Sequence, residues 1–204
     1  MPKSTFYNLP ANKKGRVIEA AIDEFAAFTY YKASITRIVE KADIAKGSFY
    51  QYFEDKKDLY NYIIALIAEE KLEYLGEVIN NMDSYEFFQL LRELYSSGIK
   101  FARANPKLQA IGNKLYSNVD SPIFKEVIDS QKVKSIEFFQ MLLKKGIERG
   151  EVDENINIEL VSHMLTILNI SLGELIYEDG QINMDDMKII EGMLYVLENG
   201  LRSS

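Results

Sequence analysis

The 204-residue chain contains no cysteine and a single histidine. The absence of thiols excludes disulfides, thiolate zinc sites and cysteine nucleophiles together, and fits a reducing cytoplasm. His163 has no second histidine to pair with, and a single carboxylate one turn before it, Glu159, is too few ligands for a metal site, so neither metal nor cofactor is expected. A core or interface histidine is the default reading. There is no phosphate-binding glycine loop, and the neighbouring carboxylates Asp185 and Asp186 would splay apart on a helix rather than converge. These absences argue against an enzyme. Long apolar runs are missing too. Met1 to Asn12 lacks the apolar stretch of a secretory signal. Leu160 to Tyr177 is interrupted by Ser162, His163, Asn169 and Glu174, short of the roughly 18 to 20 apolar residues that a membrane span needs. The expectation is a soluble, cytoplasmic protein with no membrane partner.

What is present is ordinary for a folded chain: 47% hydrophobic and 27% charged residues. The length allows a small head on a larger body. The formal charge of -7 is unevenly spread. Residues 1–57 hold ten Lys and Arg against seven Asp and Glu, whereas the remainder holds fourteen against twenty-four. A basic head can act locally beside an acidic body, because charges more than about 8 Å apart are largely screened at physiological salt.

Helical periodicity runs through nearly the whole chain, and strand alternation with hairpin turns is lacking. Val17, Ile18, Ala21, Ile22, Phe25 and Phe28 share one face of a first helix. A short second helix opens at Ser34, a good N-cap residue, and presents Ile35, Ile38, Val39 and Ala42 to the same core. Asp43-Ile44 makes a tight turn, and a third helix runs from about Ala45 to Phe53 with Phe49 and Phe53 inward. A fourth begins near Lys56. Asp83-Ser84-Tyr85-Glu86 reads as a capping box opening a helix that stops near Asn105, before Pro106. Ser121-Pro122 opens another, ended by Gly150, and two more follow at about Asn157 to Tyr177 and Met184 to Leu201 with Gly180 between them.

Two short helices at a steep angle suit a helix-turn-helix, whose second helix enters the major groove of double-stranded DNA. That groove is about 12 Å wide, the diameter of a helix with its side chains. On the third helix Gly47, Tyr50 and Gln51 point away from the Phe49/Phe53 face, with Lys46 on the flank. Lys46 suits a phosphate or a guanine edge, and Gln51 offers a donor and acceptor pair to adenine. Gly47 lets the backbone come close, while Tyr50 and Tyr52 suit sugar and phosphate. Ser34 and Thr36 suit a phosphate at the second helix's N-terminus, and Lys56 and Lys57 the flanking backbone.

Residues 25–30 (FAAFTY), 34–53 (SITRIVEKADIAKGSFYQYF) and 56–59 (KKDL) together resemble the DNA-binding domain of the TetR family over about residues 14 to 60. The most diagnostic part is Lys-Gly-x-x-Tyr-x-Tyr-Phe-x-x-Lys at 46–56. The resemblance implies DNA contacts from Lys46, Gly47, Ser48, Tyr50, Gln51 and Tyr52, with backbone contacts from Ser34, Thr36 and Lys56. Four positions depart from the family's usual pattern: Thr29 and Asp43 stand for glycine, Ala33 for threonine and Ala45 for serine. Asp43 tolerates left-handed turn geometry; Ala33 and Ala45 each remove a hydroxyl near DNA.

The resemblance also implies an all-α layout: an N-terminal three-helix helix-turn-helix domain at 1–57, then a helical ligand-binding and dimerisation domain at 58–204. The expected function is a ligand-responsive regulator, a repressor released from a palindromic operator by a small apolar or aromatic effector. The alternative is a dimer of the same fold that binds a small molecule or protein with weakened DNA binding. Phe87, Phe88, Leu91, Tyr95, Phe101, Tyr116, Phe124, Phe138, Phe139 and Met141 are candidate pocket walls, although ordinary core packing competes for each. The last two helices are apolar round most of their circumference, so each must be covered on two sides. Val161, Leu165, Leu168 and Leu172, with Ile190, Leu194, Leu197 and Leu201, are the candidate homodimer face.

Overall fold

The computed structural model describes residues 1–116, 121–178, 181–182 and 186–202; side chains at 128–131, 170, 172–178, 181–182 and 186 lie outside that description. The helices are α1 (Ser4–Tyr7), α2 (Ala11–Ala27), α3 (Ile35–Lys41), α4 (Lys46–Tyr52), α5 (Lys56–Asn80), α6 (Phe87–Ala104), α7 (Pro106–Tyr116), α8 (Pro122–Glu148), α9 (Ile158–Ile176) and α10 (Asp186–Leu201), with a 3-10 turn at Met82–Ser84. A two-residue antiparallel ladder pairs β1 (Tyr177–Glu178) with β2 (Gln181–Ile182). The fold is all-α, as expected. Two compact units divide it: Met1–Leu72 with Asn105–Val119, and Glu73–Ala104 with Asp120–Ser204. The sequence-based division after residue 57 falls inside the unbroken helix α5.

In the first unit, α2 buries Val17, Ala20, Ala21 and Phe25 along one face. Phe28, expected to continue that face, is instead the helix's C-cap in extended backbone (φ -123°, ψ 149°), with its ring beneath the Arg37 guanidinium at 4.4 Å. Ser34 does hold the N-cap position of α3, but its hydroxyl makes no capping bond. The work passes to α2. The buried carboxylate of Glu24 accepts the Ser34 backbone N–H at 2.7 Å and the Arg37 Nε–H at 3.0 Å. A buried carboxylate needs such partners, because leaving it unpaired costs far more than a surface charge. This interaction fixes the start of α3 on α2. The turn after α3 is left-handed at Asp43 (φ 54°), a residue type whose short polar side chain tolerates that region.

Helix α7 was not distinguished in the sequence and belongs to this first unit. Pro106 stands at its first position, and Leu108, Ile111 and Leu115 are buried. It packs on α2, where Asp23 accepts ion pairs from Lys107 at 2.5 Å and from Lys41 of α3 at 2.6 Å. These bonds, Lys107 first and then Lys41, hold the Asp23 carboxyl below its ordinary pKa. A depressed carboxylate stabilises the fold above its unfolded pKa of about 3.9, and that contribution disappears as pH falls through the folded value. Asp23→Asn is therefore expected to lower stability near neutral pH and to flatten its decline below about pH 4. Urea unfolding across that range checks this.

The second unit is a single apolar core built around Phe87, Phe88, Leu91, Leu142, Leu143 and Leu165. The capping box expected at Asp83–Glu86 does not form: Asp83 lies in the 3-10 turn, and α6 opens at Phe87, whose N–H is accepted by the distant Glu151 carboxylate at 2.8 Å. Elsewhere local capping holds. Ser121 Oγ accepts the Phe124 N–H at 3.2 Å at the start of α8, and Asn157 Oδ1 accepts the Leu160 N–H at 2.9 Å at the start of α9. Gly150, with φ 71°, follows α8 in the left-handed conformation that stops a helix.

The candidate dimer face requires correction. Val161, Leu165, Ile190, Leu194, Leu197 and Leu201 are buried in the protomer's own core, and Leu168 is half-buried against it; the Leu172 side chain lies outside the described residues. The exposed apolar face is the other one: Leu160 (58% exposed), Met164 and Ile167 on α9, with Tyr195 and Val196 (69% exposed) on α10. Periodicity found two apolar faces on α9 but could not say which one the protomer covers.

Candidate nucleic-acid interface

Helix α4 is only seven residues long. Phe49 and Phe53 are fully buried with ring centroids 5.5 Å apart, and they pin it to the head's core. Lys46, Gly47, Tyr50 and Gln51 are exposed, and their three- and four-residue spacing puts them on one outward face. Ser48 is half-buried beside them; Thr36 is exposed and Ser34 half-buried at the start of α3. Of the nine expected DNA-facing residues, Lys46, Gly47, Tyr50 and Gln51 thus share the outward face of α4 with Ser48 at its margin, and Ser34 and Thr36 lie at the start of α3.

Two expected members sit differently. Tyr52 is three residues from Phe49 and so shares its inward side; it is 5% exposed, with its ring 6.1 Å from that of Phe6 and the Lys13 ammonium 5.8 Å above it. It is a wall of the core rather than an outward side chain. Lys56 turns back on its own unit. Its ammonium donates to the Ala33 carbonyl at 2.9 Å and lies 4.7 Å over the Tyr30 ring, where burial lowers its pKa. The charge expected at the DNA backbone ties the start of α5 to the 29–33 loop.

The two alanine departures also differ in kind. Ala33 is buried. Ala45 is exposed at the N-cap of α4, in the extended conformation of a cap (φ -67°, ψ 144°) but with no side-chain hydrogen bond. The missing hydroxyl is thus a missing helix cap.

Sequence reasoning missed the N-terminal segment. In α1 the fully buried Phe6 packs 4.7 Å from Phe53 and 5.4 Å from Tyr62, while Lys14 lies 5.6 Å over its ring. An adjacent Phe6-Tyr7 pair in so short a segment leaves no periodic signal; the contact shows only in three dimensions.

The candidate pocket residues differ in burial. Nine of the ten fall in the second unit and Tyr116 in the first. Phe87, Phe88, Leu91, Tyr95, Phe101 and Phe139 are buried in packing, Phe124 and Phe138 are half-buried, and Met141 faces solvent and is corrected to a surface residue. A cavity of about 10 Å³, lined by Met82, Tyr85, Phe87, Leu142 and Lys145 among others, holds a single water at most. Among the described residues the buried Tyr95 hydroxyl has no hydrogen-bond partner. His163 is half-buried, its Nδ1 2.8 Å from the Glu159 carbonyl of its own helix. Among the described residues no helix is long and apolar enough to cross a membrane.

Fold and site together define a helix-turn-helix head joined to a helical body. Residues 17–63 match the family described as "Bacterial regulatory proteins, tetR family". A crystal structure of a TetR family transcriptional regulator from Chloroflexus aurantiacus J-10-FL is 33% identical over 100% of both chains, with a TM-score of 0.77. The chain belongs to the TetR family of transcriptional regulators. It is also 26% identical over 148 residues (71% of this chain, 67% of the other) to the Escherichia coli K12 protein named "Probable acrEF/envCD operon repressor". To the fatty acid metabolism regulator protein of Bacillus subtilis 168 it is 21% identical over 150 residues (74% and 76%).

Restoring the cap tests the reading of α4. Ala45→Ser is expected to stabilise the first unit by about 1 kcal/mol, measured by chemical denaturation.

Proposed function

We propose that the chain is a ligand-responsive repressor that binds a palindromic DNA operator as a homodimer and is released by a small apolar or aromatic effector. The head up to about residue 57 reads DNA, and the helical body binds the effector and the second copy. The observation that carries the DNA reading is Gly47. A Cβ there would meet nothing within 4 Å, so the fold does not require glycine; the same holds at Gly15, Gly76, Gly98, Gly112, Gly192 and Gly200, and Gly47 differs from them in standing on the outward face of α4. Within a helix glycine costs about 1 kcal/mol relative to alanine. A residue that weakens the helix without relieving any internal clash makes sense where a partner's surface must approach the backbone. Lys46, Tyr50 and Gln51 around it supply a cation, an aromatic hydroxyl and an amide, the groups that meet phosphates and base edges.

Gly47→Ala separates this reading from a purely structural one. It is expected to stabilise the protein by about 0.5–1 kcal/mol while weakening retardation of a duplex carrying the chain's own upstream region by about tenfold, a 1.4 kcal/mol loss. Unchanged retardation by the stabilised variant contradicts the assignment. One observation favours the second reading, a dimer with weakened DNA binding: the uncapped N-terminus of α4 at Ala45.

Dimerisation is assigned to the exposed faces of α9 and α10, two helices that pack on one another within the second unit. Paired about a two-fold axis, they would form a four-helix interface and set two recognition helices about 34 to 36 Å apart, one turn of DNA. Ile167→Glu and Val196→Glu are expected to halve the mass measured by light scattering without unfolding the chain. Leu165→Ala is expected to cost about 2–5 kcal/mol of stability by opening a core cavity. Release requires the effector to favour one head spacing; a hundredfold preference supplies about 2.7 kcal/mol, transmitted along α5.

A further inference from the structure

We propose that the N-terminal segment Lys3–Phe6 is a clamp that sets the orientation of the recognition helix, which makes Thr5 and Phe6 positioning residues for DNA recognition; this rests on the DNA-binding reading above. The last four carbonyls of an α-helix have no partner within the helix. In α4 the Phe49 carbonyl is taken by the Phe53 N–H at 2.9 Å. The Glu54 N–H, which would serve Tyr50 if the helix continued, is turned to Asp58 Oδ2 at 3.1 Å. The carbonyls of Tyr50, Gln51 and Tyr52 are then all satisfied by the N-terminal segment. Lys3 Nζ donates to Tyr50 O at 2.8 Å, Thr5 Oγ1 donates to Gln51 O, and the Lys3 backbone N–H donates to Tyr52 O at 2.8 Å.

Three consecutive bonds from a segment about 46 residues away in sequence specify a direction as well as a contact. Phe6 supplies the anchor. Its ring is wedged among Tyr52, Phe53 and Tyr62 and fixes where the donors stand. Two of the clamped carbonyls belong to Tyr50 and Gln51, whose side chains lie on the outward face. The clamp therefore holds the backbone of the residues that face DNA: Thr5 gives its one hydroxyl hydrogen to a carbonyl, and Lys3 gives its backbone N–H and one of its three ammonium donors. A tilt of α4 would misplace bidentate base contacts, which have narrow geometry, more than it would disturb attraction to phosphates.

The test uses full-length Thr5→Val, which keeps shape but removes the donor, and Thr5→Ser, which restores it. By hydrogen exchange, Thr5→Val is expected to speed exchange of the amides at 50–53 with global stability little changed, and Thr5→Ser to return it to the starting value. On the upstream duplex, Thr5→Val is expected to lower the ratio of specific to non-specific affinity by about fivefold, the worth of one hydrogen bond, and Thr5→Ser to recover it. The slope of affinity against salt should stay constant, because no phosphate contact is lost. Phe6→Leu, which keeps an apolar anchor, is expected to lower the same ratio with the fold retained. If the unaltered protein shows no specific retardation, the DNA reading falls and takes the clamp's role in recognition with it. If the protein is specific but Thr5→Val keeps both its ratio and its amide protection, the clamp alone is overturned.

Discussion

A helix of seven residues cannot hold its own shape in water, because nucleation consumes as much conformational freedom as its few hydrogen bonds return. Helix α4 is such a helix, and its first turn lacks a side-chain cap. Its stability and direction therefore come from outside: Phe49 and Phe53 are buried in the head, and its last three carbonyls are taken by the N-terminal segment. The rest of the head serves this arrangement. Glu24 holds the start of α3, Asp43 turns the chain between α3 and α4, and Lys56 ties α5 to the preceding loop.

The same economy accounts for the charge. An acidic protein can present a DNA-binding face when the residues on that face are few and close to the phosphates they meet, since distant acidic groups are screened. Several basic residues of the head are engaged internally: Arg37 with Glu24, Lys41 with Asp23, and Lys56 with Ala33. Lys46 stands on the outward face beside Gly47, Tyr50 and Gln51. What the head offers DNA is then shape and a small set of groups, more than a broad basic surface.

The helix-turn-helix was legible in sequence because two of its features are local. Phe49 and Phe53 lie one turn apart, and Asp43 belongs to the few residue types that accept a left-handed turn. The members read less well depended on distant partners. Tyr52 and Lys56 are drawn inward by Phe6 and by the Ala33 carbonyl. The start of α6 is set by Glu151 rather than by its own capping residues. On α9 both faces are apolar, and only packing reveals that Leu165 lies inside and Ile167 outside. Local chemistry thus identified the helix-turn-helix, whereas its supports required the fold.

The central claim is that the outward face of α4 reads DNA in a two-fold pair. Selection of duplexes from a random-sequence pool by the purified full-length protein tests it most directly. The expected result is an enriched inverted repeat whose half-site centres lie about 10 base pairs, or a multiple of one helical turn, apart, and whose enrichment is lost with Gln51→Ala. Enrichment of no sequence, or of one that Gln51→Ala selects equally well, would contradict it.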